Sequence, residues 1–210
     1  MICNGIDTDQ LHAFGTQLVE RPAAAAASLA IRTRWTDRYG TTSTGEDITV
    51  GGQRFPREVA VAADRPAALG GGDDGPAPGE LLLIALGSCV AQAFVEVAAL
   101  QGIGLDEVDV RVEAGLDLRG NLGVEGVRPG LAHIHLDVEV ASAALGELLD
   151  GLLDDSVRRS PIADSLTPES ASLRPLARLR RWTSVEIPGP ERQGDGGLVD
   201  VWVCLRCRPV

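Results

Sequence analysis

Cys89 is the residue of this chain best suited to covalent chemistry. It stands in GPAPGELLLIALGSCVAQAFVEVAALQG, residues 75–102, an almost uninterrupted apolar run. A thiol reacts as its thiolate, so chemistry there needs solvent access and a nearby positive charge. Without them Cys89 is a small buried hydrophobe, which cysteines in apolar helices commonly are. Cys204 and Cys207 form CLRC, the spacing of a redox pair or of half a zinc site, but no second cysteine pair completes a tetrahedron. His133 and His135 alternate with Asp137 and Glu139 on the polar side of LAHIHLDVEV, a donor set that a divalent metal accepts. Histidines two apart on a wet strand face are more often ordinary polar residues. The glycines at 70–72 lack the GK[ST] ending of a phosphate cradle and neighbour Asp73 and Asp74, which repel phosphate, so 64–79 reads as a loop.

The elements that must position Cys89 follow from periodicity. Pro76 and Pro78 suit the opening of a helix and Gly102 its close. Apolar side chains point nearly all round that helix, which predicts burial by protein on most sides. A membrane span is the competing reading by length. Glu80, Gln92, Glu96 and Gln101 lie within the run and no Lys/Arg asymmetry flanks it, so no membrane partner is expected. Upstream, DTDQLHAFGTQLVE places Leu11, Phe14, Leu18 and Val19 at helical spacing behind an Asp7/Thr8 start, with His12 beside the stripe. LAIRTRW reads as a strand with Leu29, Ile31, Thr33 and Trp35 on one face. GEDITVGG and FPREVAVAAD read as strands paired around Gly51-Gly52. Downstream, LDEVDVRVEAGLDLRG alternates strictly, with Val108 to Leu118 on one face. It is expected to pair antiparallel with LAHIHLDVEV across a polar loop at 119–130. Residues 144–159 carry a leucine stripe with Arg158 and Arg159 at the helix end, and Ser160-Pro161 stops it. Beyond Pro168 come a basic stretch, a Gly/Pro-rich loop at 188–197 and a strand-like LVDVWVCLRC.

The chain's 210 residues fit one ordinary domain with extensions or at most two small ones, and its formal charge of −11 disfavours nucleic acid and anionic membrane as partners. Four scattered cysteines are too few for a secreted disulfide scaffold, and the N-terminus shows no basic-then-apolar signal. A reducing cytoplasm is the expected compartment.

This order of elements resembles the OsmC/Ohr family of small thiol-dependent peroxidases and their OsmC-like relatives. The resemblance is carried by GPAPGELLLIALGSC at 75–89, the VDVRVEAGLDLRG strand and SPIADSL at 160–166. It covers residues 28–168, leaving 1–27 as an N-terminal helical extension and 169–210 as a C-terminal one. What it implies is an α+β fold with antiparallel sheets around long central helices, two chains intertwining into a homodimer. An all-round apolar helix fits such a core, since one small sheet covers only part of its circumference.

The resemblance also implies a site, with neither cofactor nor metal. Cys89 matches the thiolate that attacks a hydroperoxide and becomes a sulfenic acid. An arginine from the N-terminal sheet, to be chosen among Arg32, Arg34, Arg38 and Arg54 with Arg38 the best match by position, lowers the thiol pKa and holds the peroxide. A glutamate early in the helix holds that arginine. Here Gly79 takes the glutamate's place in the proline-led motif, with Glu80 one residue on, in the Glu-Leu-Leu form of the OsmC-like relatives. The second cysteine of the family's Cys-Pro-Val turn is Ser160, which cannot form a disulfide. One expectation is therefore a one-cysteine peroxidase for organic hydroperoxides, its sulfenate resolved by an external thiol or the tail cysteines. The other is the same scaffold without that cycle, binding a small apolar ligand or performing hydrolysis or acyl transfer in its dimer pocket.

Overall fold

Gly102 ends the central helix at a left-handed φ of 68°. The N–H of Ile103 then reaches back to the carbonyl of Ala98 and that of Gly102 to Ala99. This is the Schellman arrangement, which satisfies carbonyls the helix leaves open. The computed structural model describes residues 1–166 and, beyond them, the backbone of strands 174–176, 184–186 and 202–208. Its strands are β1 (Ile2–Cys3), β2 (Ile6–Asp7), β3 (Ala27–Ser28), β4 (Ile31–Asp37), β5 (Gly40–Gly45), β6 (Ile48–Val50), β7 (Gln53–Phe55), β8 (Ala60–Ala63), β9 (Glu107–Gly115), β10 (Ala132–Ala141), β11 (Arg174–Leu176), β12 (Ser184–Glu186) and β13 (Trp202–Arg208). Its helices are α1 (Thr8–Glu20), α2 (Pro78–Leu100), α3 (Leu118–Asn121), α4 (Gly146–Arg159) and α5 (Pro161–Leu166). The fold is mixed helix and sheet: β3–β6–β7, β4–β5–β8, β9–β10 and β11–β12 pair antiparallel, and β13 joins β10 in parallel.

The chain divides into two compact units. One holds Met1 and Asp7–Leu82, the other Ile2–Ile6 and the described residues from Leu83 on. In the first, Asp7 caps α1 as expected, its carboxylate accepting the N–H groups of Asp9 and Gln10 at 3.1 and 3.2 Å. β6 and β7 pair around Gly51-Gly52, both at positive φ, as the sequence predicts. FPREVAVAAD is not one strand, however. Its first part closes that hairpin, while β8 pairs with β5, a strand the sequence reading lacks. GTTSTG contains no apolar residue, so no alternation announces it.

In the second unit, α2 lays Leu86, Val90, Phe94, Val97 and Ala98 on the inner face of β10, whose Ile134, Leu136, Val138 and Val140 are buried. Leu149, Leu152, Leu153 and Val157 of α4 complete the core. Gly87 sets the spacing, since a Cβ there stands 3.0 Å from a Val112 methyl of β9. β9 and β10 pair antiparallel in the expected manner, Val110 opposite Val138. The alternation ends earlier than its pattern suggests: residues from Leu118 turn into α3, and Leu116 and Leu118 are exposed. A register shift between Ala132 and His135, with His133 at φ 53°, breaks the two-residue period where the paired histidines were expected to share a face. α4 runs as predicted, but Leu145 and Leu148 of its stripe are exposed.

α2 is covered on one side by its own chain. Within one chain its packed stripe occupies one side only, while Ile84, Ser88, Gln92 and Glu96 are exposed, Ile84 at 55 %. It is the one helix among the described residues long and apolar enough to cross a membrane, and its inner stripe is packed against its own sheet.

Candidate functional site

Cys89 sits on the flank of α2. Val90, one residue on, is fully buried and Ser88, one residue back, is exposed. Successive helix positions turn by about 100°, so Cys89 falls between packed and open faces, half-buried with a free thiol. Two positions before it, the close approach at Gly87 fixes this part of the helix against β9.

Ser160 shares the second unit with Cys89 and is wholly buried. It sits where α4 hands over to α5. Its N–H donates to Val157, its Oγ accepts the N–H of Ala163 at 3.1 Å and its carbonyl accepts that of Asp164 at 3.0 Å. With Pro161 as the first helical residue, Ser160 is the N-cap of α5. The hydroxyl in place of the family's second sulfur thus has a structural task.

Arg38 and Glu80 fall in the first unit, and they do not pair there. The Glu80 carboxylate accepts the N–H of Ala77 at 2.6 Å, while the Ala77 carbonyl accepts the N–H of Leu81. Glu80 is therefore the third-position acid that reaches back to its own helix cap, and its charge suits the positive end of the helix. Arg38 occupies the two-residue turn between β4 and β5 at φ 37°, a left-handed conformation uncommon outside glycine. The indole N–H of Trp35 donates to its carbonyl at 3.0 Å and holds the turn. The guanidinium lies 3.8 Å from Asp37. Arg32 and Arg54 are engaged elsewhere, on Glu46 and Asp47.

Sequence reasoning missed Asp64, which is 4 % exposed at the end of β8. Its carboxylate accepts the N–H of Arg65 and of Gly72, each at 2.7 Å, and more weakly that of Asp74 at 3.5 Å. The glycine loop does cradle an anion with its amides, and the anion is the protein's own. The Arg65 N–H holds the Asp64 carboxyl below its ordinary range. Burial opposes this, and the Gly72 and Asp74 amides and the Arg38 charge add to the lowering. The signal in the sequence was an acid closing a short strand, followed within eight residues by three glycines.

The tail cysteines belong to β13, where Cys204 pairs with Asp137 and Cys207 with Val140. Their side chains lie outside the described residues.

Comparison with known proteins gives these parts a common context. Residues 70–172 match the family model described as OsmC-like protein, a range that contains Glu80, Cys89 and Ser160 and excludes Arg38. The fold is similar to that of an OsmC-like protein from Mycoplasma pneumoniae, with a TM-score of 0.57 and 15 % identity over 87 % of this chain and 97 % of that one. It is also similar to an organic hydroperoxide resistance protein from Elizabethkingia anophelis, with a TM-score of 0.53 and 14 % identity over 87 % of this chain and 96 % of that one. At these identities the likeness is one of fold. No curated protein matches the sequence.

Proposed function

This chain belongs to the OsmC/Ohr family, and on that premise we propose that it is a thiol-dependent peroxidase that reduces organic hydroperoxides through Cys89 alone. The observation that carries the reading is the position of Cys89, half-buried at the border of the packed face of the family's central helix. The thiolate attacks the outer peroxide oxygen, the O–O bond breaks, and the alkoxide leaves and takes up a proton as the alcohol. Cys89 is then a sulfenic acid. An external thiol condenses with it, releasing water and forming a mixed disulfide. A second thiol displaces Cys89 and leaves as the disulfide of the reductant. Arg38 is the arginine to which the family resemblance assigns the positive charge in this chemistry. Glu80 serves the start of the helix that carries the thiol. Ser160 takes no redox part, because it has no sulfur and its hydroxyl is committed to a helix cap.

The protein acts as a cytoplasmic homodimer in this reading. The outer side of α2 with Ile84, and the Trp35 face of β4, are apolar surfaces that a second copy would cover. The same surfaces favour a second reading, in which the scaffold binds a small apolar ligand and does no redox chemistry.

Stopped-flow consumption of cumene hydroperoxide with dithiothreitol or lipoamide separates the two. Turnover in the wild type and none in Cys89→Ser is the expected result. A wild type without turnover, whose Cys89 alkylates slowly near neutral pH, sinks the peroxidase reading.

A further inference from the structure

Strand register brings Arg38 and Asp64 to the same end of one sheet. β5 pairs with both β4 and β8, Thr41 stands opposite Ala63 and its hydroxyl donates to the Ala63 carbonyl at 3.4 Å. The turn that precedes Thr41 holds Arg38, and the residue that follows Ala63 is Asp64. The loop beyond Asp64 is wound too tightly to admit side chains. A Cβ on Gly71 stands 1.8 Å from the Arg65 carbonyl oxygen, and one on Gly75 stands 2.6 Å from that of Ala62. At Gly72 the same construction places Asp64 and Asp74 carboxylate oxygens each at 2.8 Å and the Arg38 Nη2 at 3.3 Å from one point. The guanidinium therefore lies within about 6 Å of both acids, inside the range where opposite charges hold one another. Tyr39, the other turn residue, ties the same two segments together, its ring lying 4.1 Å from the guanidinium carbon of Arg65.

We propose that Asp64 is the positioning residue for Arg38. A buried carboxylate is costly unless its oxygens are satisfied, and the loop amides satisfy this one while fixing it in place. A fixed anion then restricts a long side chain that is otherwise 64 % exposed on its turn. Asp74 stands second on the rim of the loop. This assignment replaces the expected glutamate partner of the arginine with an aspartate of its own unit. Its catalytic part rests on the peroxidase reading above; the pairing itself does not.

The pairing is tested without activity, and with the exposed partner changed. Carboxyl carbon NMR titration of the full-length protein is compared with that of Arg38→Ala. The Asp64 carboxyl is expected to titrate at higher pH in the variant, and an unchanged titration overturns the proposal. Asp64→Asn gives the reciprocal measurement, the phenylglyoxal modification rate of Arg38 followed by peptide mass spectrometry. Modification several-fold faster than in the wild type supports the proposal, and an unchanged rate in the folded variant overturns it. In an active wild type, folded Asp64→Asn is expected to lose about tenfold in kcat/KM for cumene hydroperoxide, as partners that orient a reactive group commonly do. Unchanged kcat/KM overturns the positioning role. If the wild type shows no turnover, the peroxidase reading fails while the titration still decides the pairing.

Discussion

The two units of this chain hold themselves together in different ways. In the second, large apolar side chains meet one another: Phe94, Leu136 and Leu152 are all but inaccessible to solvent, and two helices close over one sheet. In the first, the large apolar residues Leu29, Ile31, Trp35 and Phe55 are exposed, while a carboxylate, Asp64, is buried under backbone amides. The second unit has a core of its own. The first is organised by hydrogen bonds and a tight loop, and it offers its apolar faces outward.

That contrast breaks most sharply under mutation. Phe94→Ala is expected to cost about 3–5 kcal/mol of unfolding free energy, as emptied core sites do, with no dependence on protein concentration. Trp35→Ser removes an aromatic of comparable size from the first unit and is expected to leave a dilute monomer almost as stable. Its effect appears as a melting temperature that no longer rises with concentration, measured by calorimetry and light scattering. A Trp35→Ser protein as damaged as Phe94→Ala at high dilution would erase the distinction.

A smaller effect is expected at the helix junction. Ser160→Ala removes the cap of α5 and should cost about 1 kcal/mol by denaturant titration. Peroxide turnover is expected to persist in that variant, and its loss would give the hydroxyl a chemical task as well. Ser160→Cys asks the complementary question, whether a restored sulfur forms a disulfide with Cys89 after peroxide treatment.

Acid should separate the units most gently. Asp64 has its folded pKa below the ordinary value of 3.8, so its stabilising effect is complete above the unfolded carboxylate range and fades as pH falls through the folded pKa. Asp154 on α4 is shifted upward, by burial first, with Asp150 and Asp155 adding to the rise and Arg158 opposing it. Its ionisation costs the folded state, and that cost is relieved as pH falls through its raised pKa. Hydrogen exchange followed as pH falls from about 4 downward is expected to show the loop at 64–75 losing protection while α4 keeps it. Equal loss in both, or an unaltered profile in Asp64→Asn, contradicts this.

What the sequence disclosed divides along the same line. Elements whose residues are sorted by water were legible: Pro78 and Gly102 bound α2 within a residue or two, and the alternation of Val108, Val110 and Val112 announced β9. Elements built on polar bonding were not. β5 has only Gly, Thr and Ser, and no hydrophobic pattern marks an aspartate destined for burial. Glu80 stands three residues after Ala77, a capping distance, and a carboxylate so placed serves the start of its helix as readily as chemistry. Cys89 was found by type alone; its half-buried setting on the helix flank required the packing of Val90 and Gly87 to be known. The OsmC-like segment matched at 70–172 spans the legible half and leaves Arg38 outside it.

The parallel strand β13 carries a consequence for biosynthesis. It covers one side of β10, the middle strand of its sheet, and sixty-seven positions separate His135 from its partner Trp202. While the ribosome makes the residues between them, β10 has β9 on one side and an open row of backbone donors and acceptors on the other, which is the template on which strands from other chains add. A pairing so distant in sequence closes slowly. The nascent chain must therefore carry an adhesive edge until β13 emerges, and the dependence on chaperones should be greatest in that interval.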